Sequence, residues 1–154
     1  MLPQLKFPCR DGCKITKPFG AVGEAWITKV HKGTDIDDEM NAPIYAAWGG
    51  IVAHAGEAPE DRPNNKAWGL YIIINHFWRE SYFKTYSCHL SSMRVAPGME
   101  IEVGNEIAKM GNSGNVKAIA GGDGSHLCFG LFVLRDGKWG WEQPKFFNEG
   151  TETA

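Results

Sequence analysis

His31-Lys-Gly-Thr-Asp35 and His126-Leu-Cys128 lie near opposite ends of a 154-residue chain, and together they bring imidazole, carboxylate and thiolate, the donor types that bind zinc. In an extended strand, side chains at i, i+2 and i+4 share one face, so His31 can converge with Asp35 and His126 with Cys128. A hydrolytic zinc centre needs three protein ligands and an open fourth corner for water or substrate. Four candidate donors therefore leave one histidine for acid/base work.

Donors so far apart in sequence need a rigid frame, and the pattern between them is strand and turn. Turn signals recur at short intervals: Pro18-Phe-Gly20, Asn41-Ala-Pro43, Gly49-Gly50, Asn64-Asn65, Pro97-Gly98, Gly104-Asn105, Gly111-Asn-Ser-Gly114, Gly121-Gly-Asp-Gly124 and Asp136-Gly137. The segments between them are short and rich in Ile, Val, Tyr, Phe and Trp, which predicts an all-β, mainly antiparallel domain. Tyr71-Ile-Ile-Ile74 reads as a central strand buried on both faces. Asp136-Gly137, between Leu131–Arg135 and Lys138–Trp141, predicts a tight hairpin whose turn needs positive φ. No window sustains helical periodicity. With 43% hydrophobic residues, positions 1–154 form one domain able to bury a core without staples.

A formal net charge of −2 gives no reason to propose nucleic acid or an anionic membrane surface as the partner, since both favour a basic face. The first twenty residues, broken by Pro3, Pro8, Arg10, Asp11 and Lys14, hold no apolar run of signal-peptide length, and no transmembrane helix follows. Cys9, Cys13, Cys88 and Cys128 are expected as reduced thiols, Cys9 and Cys13 in surface or packing roles because a lone C-x3-C pair is a weak metal signal. Strand alternation turns Cys88 away from its neighbour His89, which argues against a Cys88–Cys128 bridge if Cys128 shares a site with that histidine. Asp37-Asp38-Glu39 reads as a solvated loop. His54 and His76, the latter at a strand end, each stand alone and read as packed or exposed residues outside the site.

Order and surroundings sharpen the picture. Ile15-Thr-Lys-Pro-Phe-Gly20, His31-x-Gly33-x-Asp35-Ile36, Asn41-Ala-Pro-Ile-Tyr-Ala-Ala47, Trp68-Gly69 before the strand to His76, Thr85-Tyr-Ser-Cys-His89-Leu90, Val103-Gly-Asn-Glu-Ile107, Met110-Gly-Asn-Ser-Gly114 and Ser125-His126-Leu-Cys128-Phe129 follow one another in sequence. Over residues 15–133 this series resembles the lysostaphin-type zinc metallopeptidases, which cut peptide bonds in bacterial peptidoglycan. The resemblance implies a β-sheet core with a loop-walled groove, of the duplicated-hybrid-motif type. It makes His31 and Asp35 ligands of one Zn2+ per chain and puts Cys128 where the family has its third ligand, a histidine. His89 and His126 correspond to the two catalytic histidines, one accepting the proton of the attacking water and the other steadying the oxyanion. The implied partners are peptidoglycan peptides, with specificity lying in loops such as 57–66 and 117–124.

Cys128 is the departure that matters. Thiolate binds zinc well, but with histidine and aspartate it leaves the ion near neutral, where two histidines and aspartate leave it near +1. Water is then less acidified, so hydrolysis is expected to be slower at neutral pH or to peak on the alkaline side. Two lesser departures are Ser125, where the family often has proline, and Gly130, where an acidic residue is common. The sequence thus predicts a zinc-dependent endopeptidase, with a catalytically silent peptidoglycan- or protein-binding domain as the alternative. Without a visible leader, a phage lysin or virion-associated protein is the preferred setting, an exported protein with its leader removed the other.

Overall fold

Ten strands carry the chain in the computed structural model, which describes residues 2–22, 31–114, 116 and 123–147. They are β1 (Lys14–Lys17), β2 (Thr34–Asp37), β3 (Pro43–Tyr45), β4 (Gly50–Gly56), β5 (Leu70–Trp78), β6 (Ser81–Met93), β7 (Glu100–Ile101), β8 (Glu106–Met110), β9 (Leu127–Arg135) and β10 (Lys138–Glu142). The main path runs β1-β2-β9-β6-β5-β4-β7, with β10 on β9 and β8 joining β3 to β6. Every pairing between these strands is antiparallel. Helix is confined, among the described residues, to one 3-10 stretch, Pro63–Trp68. The all-β, mainly antiparallel expectation holds.

Period-two alternation sets which face of each strand meets the core. Along β9, Leu127, Phe129, Leu131 and Val133 are buried, while Cys128 and Phe132 look the other way and stay half-buried. The same core receives Phe7, Ile36, Ile44, Ile72, Ile74, Phe83, Leu90 and Met110. Each such side chain contributes about 1.5–3 kcal/mol when fully buried, which makes the sheet a stiff support. The Tyr71–Ile74 run lies in β5 between β4 and β6, with Ile73 half-buried on the outer face. At the β9–β10 turn, Asp136 (φ 51°) and Gly137 (φ 76°) both adopt the left-handed conformation that a two-residue hairpin demands.

Two sequence expectations need correction. His76 lies inside β5, two residues short of its end, because Phe77 and Trp78 continue the ladder opposite Tyr82 and Ser81. Asp38 does not belong to a solvated run: Arg10 donates to both its carboxylate oxygens at 2.7 Å and Cys13 Sγ donates to Oδ2 at 3.0 Å. That carboxylate fastens the N-terminal segment to the end of β2. Cys9 and Cys13 are buried and free, in the packing role expected of them.

Candidate metal centre

Asp35, Cys128 and Cys88 form a row across three adjacent strands. Asp35 on β2 stands opposite Cys128 on β9, and Cys128 in turn stands opposite Cys88 on β6. Directly opposed residues of antiparallel strands share a face, so all three side chains rise from the same side of the sheet. His31 completes the group from just before β2. Its position is fixed by the backbone, where its N–H donates to Ala21 O at 2.8 Å and its carbonyl accepts from Gly20 N–H at 2.8 Å. The two motif residues therefore meet across a bend rather than along one strand, which corrects the i, i+4 strand reading.

His31 Nε2 lies 3.2 Å from Asp35 Oδ1 and 3.9 Å from Cys128 Sγ, and the three donor atoms all fall within 4.8 Å of one another. Nitrogen or oxygen donors about 2.0–2.1 Å and sulfur about 2.3 Å from a tetrahedral zinc stand roughly 3.3–3.6 Å apart; the His31–Asp35 pair lies close to this spacing and Cys128 a few tenths of an ångström beyond it. Asp35 Oδ1 is buried yet receives no well-directed hydrogen bond, the condition of an oxygen with a lone pair to give. Burial raises the Asp35 pKa, but the closeness of the His31 ring, with the charge of His126, brings it below the usual carboxylate value. Burial, with Cys88 and Asp35 nearby, pushes the Cys128 thiol up, so a bound cation has to displace its proton. Histidine, carboxylate and thiolate are together a fitting set for zinc.

Gly33 makes room for the sulfur. A Cβ built at this position would sit 2.8 Å from Cys128 Sγ and 3.1 Å from Phe129 O, closer than a real side chain tolerates. The glycine of His-x-Gly-x-Asp thus serves packing between the loop and β9.

His89 and His126 stand beside this group with ring centroids 4.8 Å apart. His89 Nδ1–H donates to Ser113 O at 2.7 Å and His126 Nδ1–H to Gly124 O at 3.0 Å. A carbonyl accepts only, so in each neutral ring the lone pair is placed on Nε2. Burial lowers the His89 pKa against the pull of Ser113 O, and Asp35 is near enough for its charge to act on the ring. His89 has φ 67°, and the β5–β6 register slips here, with Leu70 opposite Leu90 but Ile72 opposite Ser87. The extra residue is a β-bulge, a device that re-aims a side chain. Simple alternation would send Cys88 and His89 to opposite faces; the bulge removes the basis for that expectation, and both side chains lie within electrostatic reach of Asp35.

Ser113 is a residue whose part the sequence reading missed. Beyond its carbonyl, its Oγ donates to Leu90 O at 2.7 Å and accepts from Leu70 N–H at 3.0 Å, pinning the Gly111–Gly114 turn onto β5 and β6 around His89. Asn112 extends the link by donating to Asp123 O at 2.8 Å, beside the carbonyl that holds His126. Ser125 Oγ donates to Asp38 O at 2.9 Å, and a Cβ at Gly130 would sit 2.8 Å from Trp141 Cζ3. The indole therefore occupies the space that a side chain at Gly130 would need. Trp68, Tyr86, Phe132 and Trp141 pack edge to face or tilted on this side of the sheet.

The other histidines are structural. His76 is buried, donating from Nδ1 to Gly49 O at 2.8 Å and accepting at Nε2 from Thr85 Oγ1 at 2.7 Å. His54 stacks on Tyr71 at 4.1 Å. Of the two loops expected to set specificity, 57–66 is largely exposed, and most of 117–124 lies outside the described residues.

Residues 29–139 match peptidase family M23. The chain is 34% identical over 85 residues to a lipoprotein NlpD/LppB homolog of Pseudomonas aeruginosa, covering 55% of this chain and 26% of the relative. It is 30% identical over 103 residues to the peptidoglycan DD-endopeptidase ShyB of Vibrio cholerae, covering 67% of this chain and 20% of that protein. The chain thus spans about a quarter or less of the length of these curated relatives. A zinc-containing peptidase from Vibrio cholerae superposes with a TM-score of 0.67 at 26% identity, over 85% of this chain and 37% of that one. The catalytic domain of lysostaphin from Staphylococcus simulans shares the fold, with a TM-score of 0.64 at 22% identity over 78% of this chain and 80% of that one.

Proposed function

The chain belongs to peptidase family M23, and from that premise we propose that it is a zinc-dependent endopeptidase hydrolysing peptide bonds in bacterial peptidoglycan. The observation that carries the reading is the meeting of His31, Asp35 and Cys128 within 4.8 Å beside two histidines of fixed tautomer. A similar protein named as a peptidoglycan DD-endopeptidase supports the substrate class.

In this reading His31, Asp35 and Cys128 hold one Zn2+ per chain, with the fourth corner open. When bound, zinc supplies Lewis acidity toward the scissile carbonyl and acidifies the attacking water. His89 and His126 do the proton work. One Nε2 would accept the proton of the water and return it to the leaving amine, while the other ring would steady the developing oxyanion. The depressed pKa of His89 keeps that ring neutral near pH 7, the state in which it accepts a proton. Backbone carbonyls grip both Nδ1 atoms, so neither ring has to reorient during turnover.

Peptidoglycan lies outside the cytoplasm, and relatives described as lipoproteins support action in the cell envelope. The phage setting expected from the sequence draws no comparable support from those relatives. Binding of one zinc per chain together with new amine termini in digested muropeptides is the expected result. Sacculus binding without cleavage by zinc-loaded protein would overturn the enzymatic reading in favour of a silent wall-binding domain.

A further inference from the structure

Cys88 is a thiol that the proposed reaction does not use. It is 4% exposed, free, and the direct cross-strand partner of Cys128. Opposed residues in an antiparallel pair hold their Cα atoms about 4.5–5.5 Å apart with side chains on one face. Disulfides span Cα separations of about 4.4–6.8 Å, a range that includes directly opposed residues of this kind. Cys128 now leans the other way, its sulfur against Gly33 and 3.9 Å from His31 Nε2. Rotation about one side-chain bond moves a cysteine sulfur between staggered positions. Cys128 thus stands midway in the row, with Asp35 on one side and Cys88 on the other.

We propose that Cys88 and Cys128 form a disulfide site that competes with the metal for the same sulfur. The inference rests on the reading of Cys128 as a zinc ligand. The oxidant is a peroxide. Cys128, the more exposed of the two, attacks one peroxide oxygen and becomes a sulfenic acid; the other oxygen leaves as hydroxide and takes the Cys128 thiol proton as water. Cys88 sulfur then attacks the sulfenic sulfur; the S–O bond breaks and the S–S bond forms. The departing hydroxide takes the Cys88 proton as water. In all, two thiols lose two electrons and hydrogen peroxide becomes two waters. The sulfur committed to the disulfide no longer faces His31 and Asp35, so zinc is released, and a thiol reductant restores the site.

The test treats the full chain, zinc-loaded and zinc-free, with stoichiometric hydrogen peroxide and follows zinc by elemental analysis and linkage by peptide mass spectrometry without reduction. A Cys88–Cys128 linked peptide, loss of at least half the zinc, recovery of both with dithiothreitol, and several-fold slower oxidation of the zinc-loaded form are expected. Cys88→Ser should bind zinc when reduced, yet with a second equivalent of peroxide pass to irreversible sulfinate at Cys128 and fail to recover. Oxidised protein that keeps its zinc, or that links Cys9 to Cys13 and leaves Cys88 unmodified, overturns the proposal. Reduced protein that binds no zinc but forms the Cys88–Cys128 peptide overturns the metal reading of Cys128 while supporting the disulfide site itself.

Discussion

Asp35 and Cys128 stand directly opposite each other on β2 and β9, so carboxylate and thiolate are brought together by sheet register alone. A one-residue slip of β2 against β9 would turn Asp35 to the core face and bring Thr34 or Ile36 to the site. The buried side chains of that face hold the register, which is why a two-ended motif can be assembled reliably.

Replacing the sulfur tests its electronic effect. Cys128→His raises the charge of the proposed centre from about zero to about +1, which acidifies the attacking water. The variant should retain zinc, cleave muropeptides at least several-fold faster at pH 7 and reach its optimum at lower pH. A variant with equal zinc content that is no faster would refute this account of the substitution. Cys128→Ser should lose most of its zinc.

Gly33→Ala places a methyl group 2.8 Å from Cys128 Sγ and against Phe129 O. Overpacking of this kind costs about 1–3 kcal/mol, and displaced supports of metal ligands weaken binding about 10–100-fold. Chelator competition should show the loss of zinc affinity, with the thermal transition lowered by several degrees. Unchanged affinity would mean that the sulfur is not a ligand or has room elsewhere.

Ser113→Ala keeps the carbonyl that accepts from His89 and deletes the hydroxyl that bridges Leu70 and Leu90. The turn is then loosened around a ring still present. Expected is roughly a tenfold fall in kcat with KM and zinc content little changed, partly recovered in Ser113→Thr. His89→Ala should lose about 10²–10⁴-fold, the range for a proton-transferring side chain. A Ser113→Ala enzyme with normal kcat would show that the backbone alone positions His89.

Donor identity was legible from residue types, and the antiparallel class from Asp136-Gly137 and the apolar runs, because both are local properties. The surroundings of His89 were not. A bulge with φ 67° at a non-glycine residue leaves no local signature and is imposed by the Gly111–Gly114 turn packed against it. Cys88 was assigned to the wrong side for the same reason, since alternation counts residues and the bulge adds one. The role of Gly33 was not legible either, because the atom it makes room for is a sulfur nearly a hundred residues away. Asp38 was read as solvated because Arg10 and Cys13 approach it only in three dimensions.

His76 provides a stability test away from the proposed chemistry. Burial brings its pKa from 6.5 down to about 4, opposed by the Gly49 carbonyl, and the ring stacks on Phe83 at 4.8 Å. The native state holds it neutral while the unfolded chain protonates it below about 6.5. Between 6.5 and 4 the unfolded state therefore binds more protons, and stability must fall as pH falls through that window, then level off. For a residue this buried the full effect is of the order of 3 kcal/mol. Urea unfolding of the chain and of His76→Gln, both with chelator, separates this contribution from metal loss. The variant should be less stable at pH 7.5, and the gap should shrink steadily toward pH 4. A gap independent of pH would mean that His76 takes up its proton equally in both states, and that the bonds to Gly49 and Thr85 do not depend on a neutral ring.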